Sequence, residues 1–81
     1  MQPLYDRSGI YTIHIAGRLD ESWADRLGGL TITTVDQEDD SSQPVTILNG
    51  CLPDQAALLG VLTTLYNLRY PLLFVEYLKP S

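Results

Sequence analysis

The stretch 53-PDQAALLGVLTTLYNLR-69 decides the fold. Its apolar residues recur every three or four positions, which is the spacing of one face of an α-helix. These residues are Leu58, Val61, Leu62, Leu65 and Leu68. Pro53 suits the first helical turn, and Asp54 complements the positive end of the helix. Because Pro71 disfavours the helical conformation in the residue before it, the sequence predicts a helix over 53–69.

Runs of β-branched and aromatic residues on both sides of this helix predict four strands. The expected strands are 10–18, 30–35, 45–48 and 72–78. Asn49-Gly50 is a pair that favours turns, so the third strand is expected to end there. Leu72 to Val75 are apolar in consecutive positions, which predicts a strand that is covered on both faces. The polar, acidic residues 36–43 predict a hairpin loop.

A second, short helix is predicted between the first two strands. Asp20 is the expected N-cap, and Gly28 is the expected left-handed residue after the last turn. Trp23 and Leu27 are four positions apart and would attach this helix to the sheet. We favour this anchoring role for Trp23 over a ligand-stacking role, because of the large area that its side chain buries.

The predicted element order is β-α-β-β-α-β, with residues 1–9 as a lead-in to a single domain over 10–79. This order indicates an α+β fold in which one long and one short helix lie on a four-stranded antiparallel sheet, as in a ferredoxin-like sandwich. The alternative is a β-meander that carries one long helix. It remains open because about eleven residues join the first two strands, slightly fewer than a crossover usually needs.

Composition excludes several classes of partner. The 81 residues include ten acids and five bases, and the net charge is −5. Nucleic acids and anionic lipids are bound by clustered Lys and Arg, whereas the bases here are scattered, so we predict neither nucleic-acid nor membrane binding. The chain has a single cysteine and no signal-peptide pattern at its start, which predicts a cytoplasmic protein without an internal disulfide.

The residues that could carry chemistry do not form a recognisable site. A nucleophilic Cys51 would need a base, and nothing in the sequence brings His14, the only histidine, close to it. The acidic residues after Val35 lack the turn glycine and the final glutamate of a calcium loop. One cysteine and one histidine cannot complete a zinc site. We therefore predict no catalytic, cofactor-binding or metal-binding residues, and no cofactor.

The outer face of the main helix is the most informative surface. No charged residue occurs from Gln55 to Leu68, although a solvated helix face normally carries Lys and Glu. Gly60 costs up to about 1 kcal/mol relative to alanine in the middle of a helix, which is easier to understand if another chain packs there. The alternative is an under-charged helix in water. The predicted interface residues are Ala56, Leu59, Gly60, Thr63, Thr64, Tyr66 and Asn67.

Three segments carry a resemblance to a protein family: YTIHIAGRLDESWADRLGGLTI (11–32), LPDQAALLGVL (52–62) and PLLFVE (71–76). They resemble a group of short bacterial proteins that share a G-R-L…W…G-L-T opening and a D-Q-A-A-L-x-G-V-L helix. That group has no assigned activity or cofactor. The resemblance therefore implies a bacterial, cytoplasmic setting and supplies no site residues.

Three hypotheses about function follow from these observations. The first is a non-catalytic protein-interaction or regulatory module that binds a copy of itself, as a homodimer or larger assembly, or another protein, through the 53–69 helix. The second is a domain that binds a small effector molecule. The third, least supported by the residues, is an enzyme built around Cys51 or the acidic loop.

Overall fold

A computed structural model of the protein describes residues 8–36 and 43–81. The four strands are β1 (Gly9–Ala16), β2 (Thr31–Val35), β3 (Val45–Leu52) and β4 (Leu72–Pro80). A 3-10 helix (Glu21–Leu27) joins β1 to β2, and the α-helix α1 (Gln55–Asn67) joins β3 to β4. Most of the predicted acidic loop, residues 37–42, lies outside the described residues.

The strands form one antiparallel sheet in the order β2-β3-β1-β4. The prediction of an α+β fold with a four-stranded antiparallel sheet and two helical segments is confirmed. The β-meander is wrong, because β1 pairs with β3 and β4 and not with β2. The ferredoxin-like sandwich is not matched in full, because the first connection is a 3-10 helix and only the second is an α-helix.

The short helix occurs where the sequence predicts it, but its type differs. Asp20 accepts a hydrogen bond from the Ser22 amide at 2.8 Å, and Gly28 adopts the left-handed conformation with φ 73°, so both predicted caps are confirmed. A 3-10 helix rises about 2.0 Å per residue, against about 1.5 Å in an α-helix. The more extended form lets a short connection reach from β1 to β2.

The core lies between the sheet and the helices. Tyr11, Ile13 and Ile15 alternate along β1 and point into it, and Leu48 and Leu52 do the same from β3. The remaining buried apolar residues are Leu19, Leu27, Leu30, Ile32, Val61 and Leu65. The predicted inner stripe of the main helix is therefore confirmed, since its other members, Leu58, Leu62 and Leu68, are partly buried against the same core.

The main helix is slightly shorter than predicted. Asp54 is its N-cap and accepts from the Ala57 amide at 2.8 Å, so Pro53 precedes the helix and does not occupy its first turn. At the other end Arg69 has φ 70°, and the Tyr70 amide donates to the Leu65 carbonyl at 3.1 Å. This left-handed residue ends the helix two positions ahead of Pro71.

Gly50 does not end β3, contrary to the prediction. The strand continues to Leu52, and Gly50 pairs with Tyr11. Its φ is 153°, and a Cβ built on it would lie 3.0 Å from Leu30 Cδ2. The glycine is needed for close packing inside the sheet, which is the other common role of glycine in a strand.

The prediction that the fourth strand is covered on both faces is also wrong. Along this strand only Val75 is half-buried, and all the other residues are exposed. The strand is at the edge of the sheet, and α1 lies over β3 and against the 3-10 helix. Apart from β1, the described element that comes near β4 is the end of α1, at Leu72, so most of the apolar residues of β4 face solvent.

Candidate interaction surface

The seven predicted interface residues lie together on the outer face of α1. Leu59 and Tyr66 are 62% and 71% exposed, and the other five are small or polar. The hydroxyl of Thr64 donates to the Gly60 carbonyl at 2.9 Å, so this threonine bonds within its own helix. A Cβ built on Gly60 would have no neighbour within 4 Å. Nothing in the described part of the chain therefore explains a glycine at this position.

A larger apolar surface lies on β4. We define the β4 surface as five side chains that are each 43–55% exposed: Leu72, Leu73, Phe74, Tyr77 and Leu78. Val75 and Glu76 separate the first three of them from the last two along a strand of nine residues, about 30 Å long. The sequence contained one signal of this exposure: Lys79 and Pro80 at the end of the strand are residues typical of an edge.

Both aromatic residues of the β4 surface are held by β1. The Tyr77 and Tyr11 rings are 5.4 Å apart and meet edge to face on the core side of the sheet. On the other side, the Phe74 and His14 rings are 5.0 Å apart. Each aromatic residue of β4 thus packs one side of its ring against β1 and presents the other side to solvent. The surface is ordered by contacts inside the chain.

Two residues of β4 interrupt its pairing with β1. His14 pairs with Phe74 and Ile15 with Leu72, so Leu73 is passed over. The same happens to Leu78 nearer the end of the strand, where Tyr11 pairs with Tyr77 and Ile10 with Lys79. Such bulges bend an edge strand and change the direction of its side chains.

A groove connects the end of α1 to the start of β4. It has a volume of about 210 Å³ and is lined by Leu62, Leu65, Tyr66, Tyr70, Pro71 and Leu72. The hydroxyl of Tyr70 donates to the Arg18 carbonyl at 2.8 Å, which fixes that wall of the groove. We call this feature the Tyr66 groove. It makes the exposed end of α1 continuous with the β4 surface.

Cys51 and His14 are not brought together. Both lie on the face of the sheet opposite the helices, but Cys51 pairs with Ile10, four residues along β1 from His14. That separation is about 13 Å, too far for a nucleophile and its base. The Cys51 thiol instead donates to the Ser81 hydroxyl at 2.6 Å. Among the described residues, no group of three His, Cys, Asp or Glu side chains is close enough to hold a metal ion.

Trp23 lies in the short helix, as predicted, and packs partly buried against the core. The guanidinium of Arg26 lies 5.2 Å from the centre of its ring, a cation–π contact that covers the outer side. The ring is therefore used within the domain, in agreement with the anchoring role.

A polar hollow lies at the other edge of the sheet. It has a volume of about 410 Å³ and is lined by Arg18, Leu19, Asp20, Glu21, Ile32, Thr33 and Thr34. Arg18 forms an ion pair with Asp36 there, and both side chains are exposed. The hydrogen bonds from Ser22 hold the pKa of Asp20 below its usual value of 3.8. The hollow thus carries charges of both signs.

Comparisons with known proteins identify the family and little else. No curated protein and no solved structure matches the chain. No helix in the described part of the chain is long and apolar enough to cross a membrane. The family DUF8691, described as a domain of unknown function, matches residues 10–76. The chain therefore belongs to the DUF8691 family, and the predicted membership of a family without an assigned function is confirmed.

Proposed function

We propose that this domain is a non-catalytic interaction module that binds another polypeptide through the β4 surface and the Tyr66 groove. The observation that carries the proposal is the exposure of Leu72 to Leu78, a nearly continuous apolar strand at the edge of the sheet. Single exposed apolar residues are common on soluble proteins. A contiguous apolar patch of several hundred Å² is instead typical of an interaction site.

The size of the two candidate surfaces decides between them. Covering about 100 Å² of a half-exposed large side chain contributes about 2.5 kcal/mol before the costs of association. The α1 face offers two such side chains, Leu59 and Tyr66, whereas β4 offers five and a free backbone edge. The helix face, which the sequence favoured, therefore becomes the flank of the contact, and Tyr66 connects it to the β4 surface through the Tyr66 groove.

Several features support a non-catalytic role and a protein partner. His14 and Cys51, the residues best suited to covalent catalysis, lie far apart on the sheet. The net charge of −5 disfavours nucleic acid and anionic lipid, so these partners and a membrane location are not part of the proposal. The proposal includes a cytoplasmic location, because a chain with a single cysteine has no internal disulfide.

The proposal is tested by capture with matched variants. The wild-type domain, Leu73→Lys on β4 and Thr33→Lys on the opposite edge strand would each be immobilised and exposed to a lysate of the source organism that also contains untagged domain. We expect at least one protein, which can be the domain itself, to be retained by wild type and Thr33→Lys and lost from Leu73→Lys. Equal retention of every protein by Leu73→Lys and Thr33→Lys would contradict the proposal.

A second candidate is the binding of a small effector, and the polar hollow favours it. Its volume of about 410 Å³ falls within the range of small-molecule sites. Both Arg18 and Asp20 could orient a polar ligand there. A ligand that binds only the folded domain raises its melting temperature, so a thermal-shift screen of metabolites tests this candidate. A hit whose shift survives in Arg18→Ala would place the ligand elsewhere.

A further inference from the structure

We propose that the polypeptide covering β4 is a second copy of the same chain, whose β4 pairs antiparallel with the first across a two-fold axis near Val75. This inference rests on the proposed interaction function and names its partner. The result would be one continuous sheet of eight strands, with both Tyr66 grooves at the junction. Three independent features of the described residues favour this occupant.

The first feature is the free backbone edge. Inside the sheet β4 pairs only with β1, and no described strand lies on its other side. Natural proteins protect such edges with charges, prolines, bulges or short length. Here the charges and the proline, at Glu76, Lys79 and Pro80, are confined to the later part of the strand, and the earlier part carries one bulge, at Leu73. The earlier part, Leu72–Val75, has apolar side chains throughout, so its free amides and carbonyls remain available to a partner strand.

The second feature is the symmetry of the apolar residues about Val75. In an antiparallel pair centred on this residue, Leu72 lies opposite the partner's Leu78 and Leu73 lies opposite the partner's Tyr77. Cross-strand apolar pairs of this kind stabilise a sheet. Glu76 lies opposite the partner's Phe74, so no like charges face each other. A strand whose exposed apolar residues match themselves on reversal is suited to an isologous contact.

The third feature is the distribution of acidic residues. The 3-10 helix packs against β2, the edge strand farthest from β4. The described acids at that side of the molecule are Asp20, Glu21, Asp25 and Asp36, and they outnumber the bases there, Arg18 and Arg26, by two. In a dimer paired through β4, the acidic sides of the two chains lie far apart. This separation limits the repulsion between two chains of net charge −5.

The available area is sufficient for a specific contact. Roughly 100 Å² of each of the five side chains of the β4 surface can be covered, taking about 200 Å² for a large side chain. Two copies would then bury at most on the order of 1,000 Å², the lower bound for a specific interface, because the five side chains project from both faces of the sheet. The Tyr66 groove adds area, because in this register the partner's Leu78 lies beside Leu72, one wall of the groove. A weak, concentration-dependent dimer is expected.

Sedimentation equilibrium tests the oligomeric state. Wild type should shift from a mass of 9.0 kDa towards twice that value as its concentration rises from low to high micromolar. Leu73→Lys and Leu78→Lys, at the two positions that the pairing with β1 passes over, should each raise the dissociation constant tenfold or more. Thr33→Lys, on the opposite edge strand, should leave it unchanged. Circular dichroism establishes that each variant is folded.

Disulfide cross-linking tests the position of the axis. With Cys51 changed to serine, Val75→Cys should form a covalent dimer under mild oxidation, because directly opposed residues have the Cα separation that a disulfide needs. Leu78→Cys is the matched control, since three residues from the axis its two copies would lie about 20 Å apart. A wild-type dimer that forms no Val75 cross-link would overturn the β4 pairing.

Two further outcomes would overturn the inference. One is a chain that remains at 9.0 kDa at every concentration. If capture of another protein still depends on Leu73 in that case, the interaction module stands and only the second copy fails. The other is a dimer that Leu59→Lys weakens and Leu73→Lys does not, which would place the contact on the outer face of α1.

Discussion

Gly50 illustrates how one residue determines the packing between β3 and the chain that enters β2. Its backbone has φ 153°, and a Cβ there would lie 3.0 Å from Leu30 Cδ2 and 3.5 Å from Leu30 Cα. A larger residue would have to strain its own backbone and displace Leu30, which is buried. The absence of a side chain at this position therefore allows Leu30 to reach the core.

Replacing Gly50 by alanine is expected to lower the free energy of unfolding by about 2 kcal/mol or more, from backbone strain and contact with Leu30 together. Gly29→Ala is the matched control. Gly29 also has a positive φ, 74°, but a Cβ there would have no neighbour within 4 Å, so only the strain of about 1 kcal/mol applies. Urea denaturation measures both values. A Gly50→Ala variant that is no less stable than Gly29→Ala would contradict this explanation.

Asp20 should give the domain a measurable acid dependence. Its pKa is lowered by hydrogen bonds from Ser22, so the folded state favours the charged carboxylate. The stabilisation is therefore fully present above the unfolded pKa and is lost as the pH falls through the folded pKa. The Asp20→Asn variant keeps an N-cap acceptor without this titration.

The stability advantage of wild type over Asp20→Asn should accordingly decrease as the pH falls from neutrality to below 3.8. Urea denaturation across that pH range measures it. A difference that stays constant with pH would show that the charge of Asp20 does not contribute to the cap.

At the scale of elements, periodicity predicted what depends on local spacing. The stripe from Leu58 to Leu68 identified α1 and its buried face, because an α-helix has a fixed turn. The 3-10 form of the segment Glu21–Leu27 was not predictable, since it depends on how far β1 and β2 lie apart. The exposure of β4 was missed for a similar reason. A run such as Leu72–Val75 is compatible with a covered strand and with a contact surface, and the position of α1 decides between them.

The seven candidate interface residues share one face of α1, as helical periodicity predicts, and their role as an interface stays a prediction. The β4 surface was not predicted as an interface, because strand order is a long-range property. Glu76, Lys79 and Pro80 were the local signs of an edge, and all three are in the later part of the strand. In this protein, charge-free helix residues identified one side of the apolar region, and the sheet topology was needed to identify the rest.

Gly60→Ala tests whether the outer face of α1 is free in the monomer. A Cβ would meet nothing within 4 Å, so alanine should increase the stability of the domain by about 0.5–1 kcal/mol through its helix propensity. Dimerisation through β4 should be unchanged, because Gly60 lies outside that contact. Urea denaturation and sedimentation of the same variant measure the two effects. A loss of stability, or a loss of the dimer, would indicate that a chain packs against Gly60.

At the scale of the whole molecule, the two edges of the sheet differ in their chemistry. The β2 edge is short, carries threonines and lies beside the acidic short helix, whereas the β4 edge is nine residues long and mainly apolar. A domain of 81 residues buries only about 60–65% of the surface of its unfolded chain, so further contacts with a second chain would stabilise it. Covering β4 would add such contacts without a longer chain.

Amide hydrogen exchange at low and high micromolar concentration tests the central claim, that a second copy of the chain covers β4, most directly. The two edge strands serve as internal controls for each other. We expect protection of the β4 amides to increase with concentration, because pairing with a second chain withdraws them from water, while protection of β2 stays constant. Exchange of the β4 amides that is as fast at high concentration as at low concentration would contradict the account.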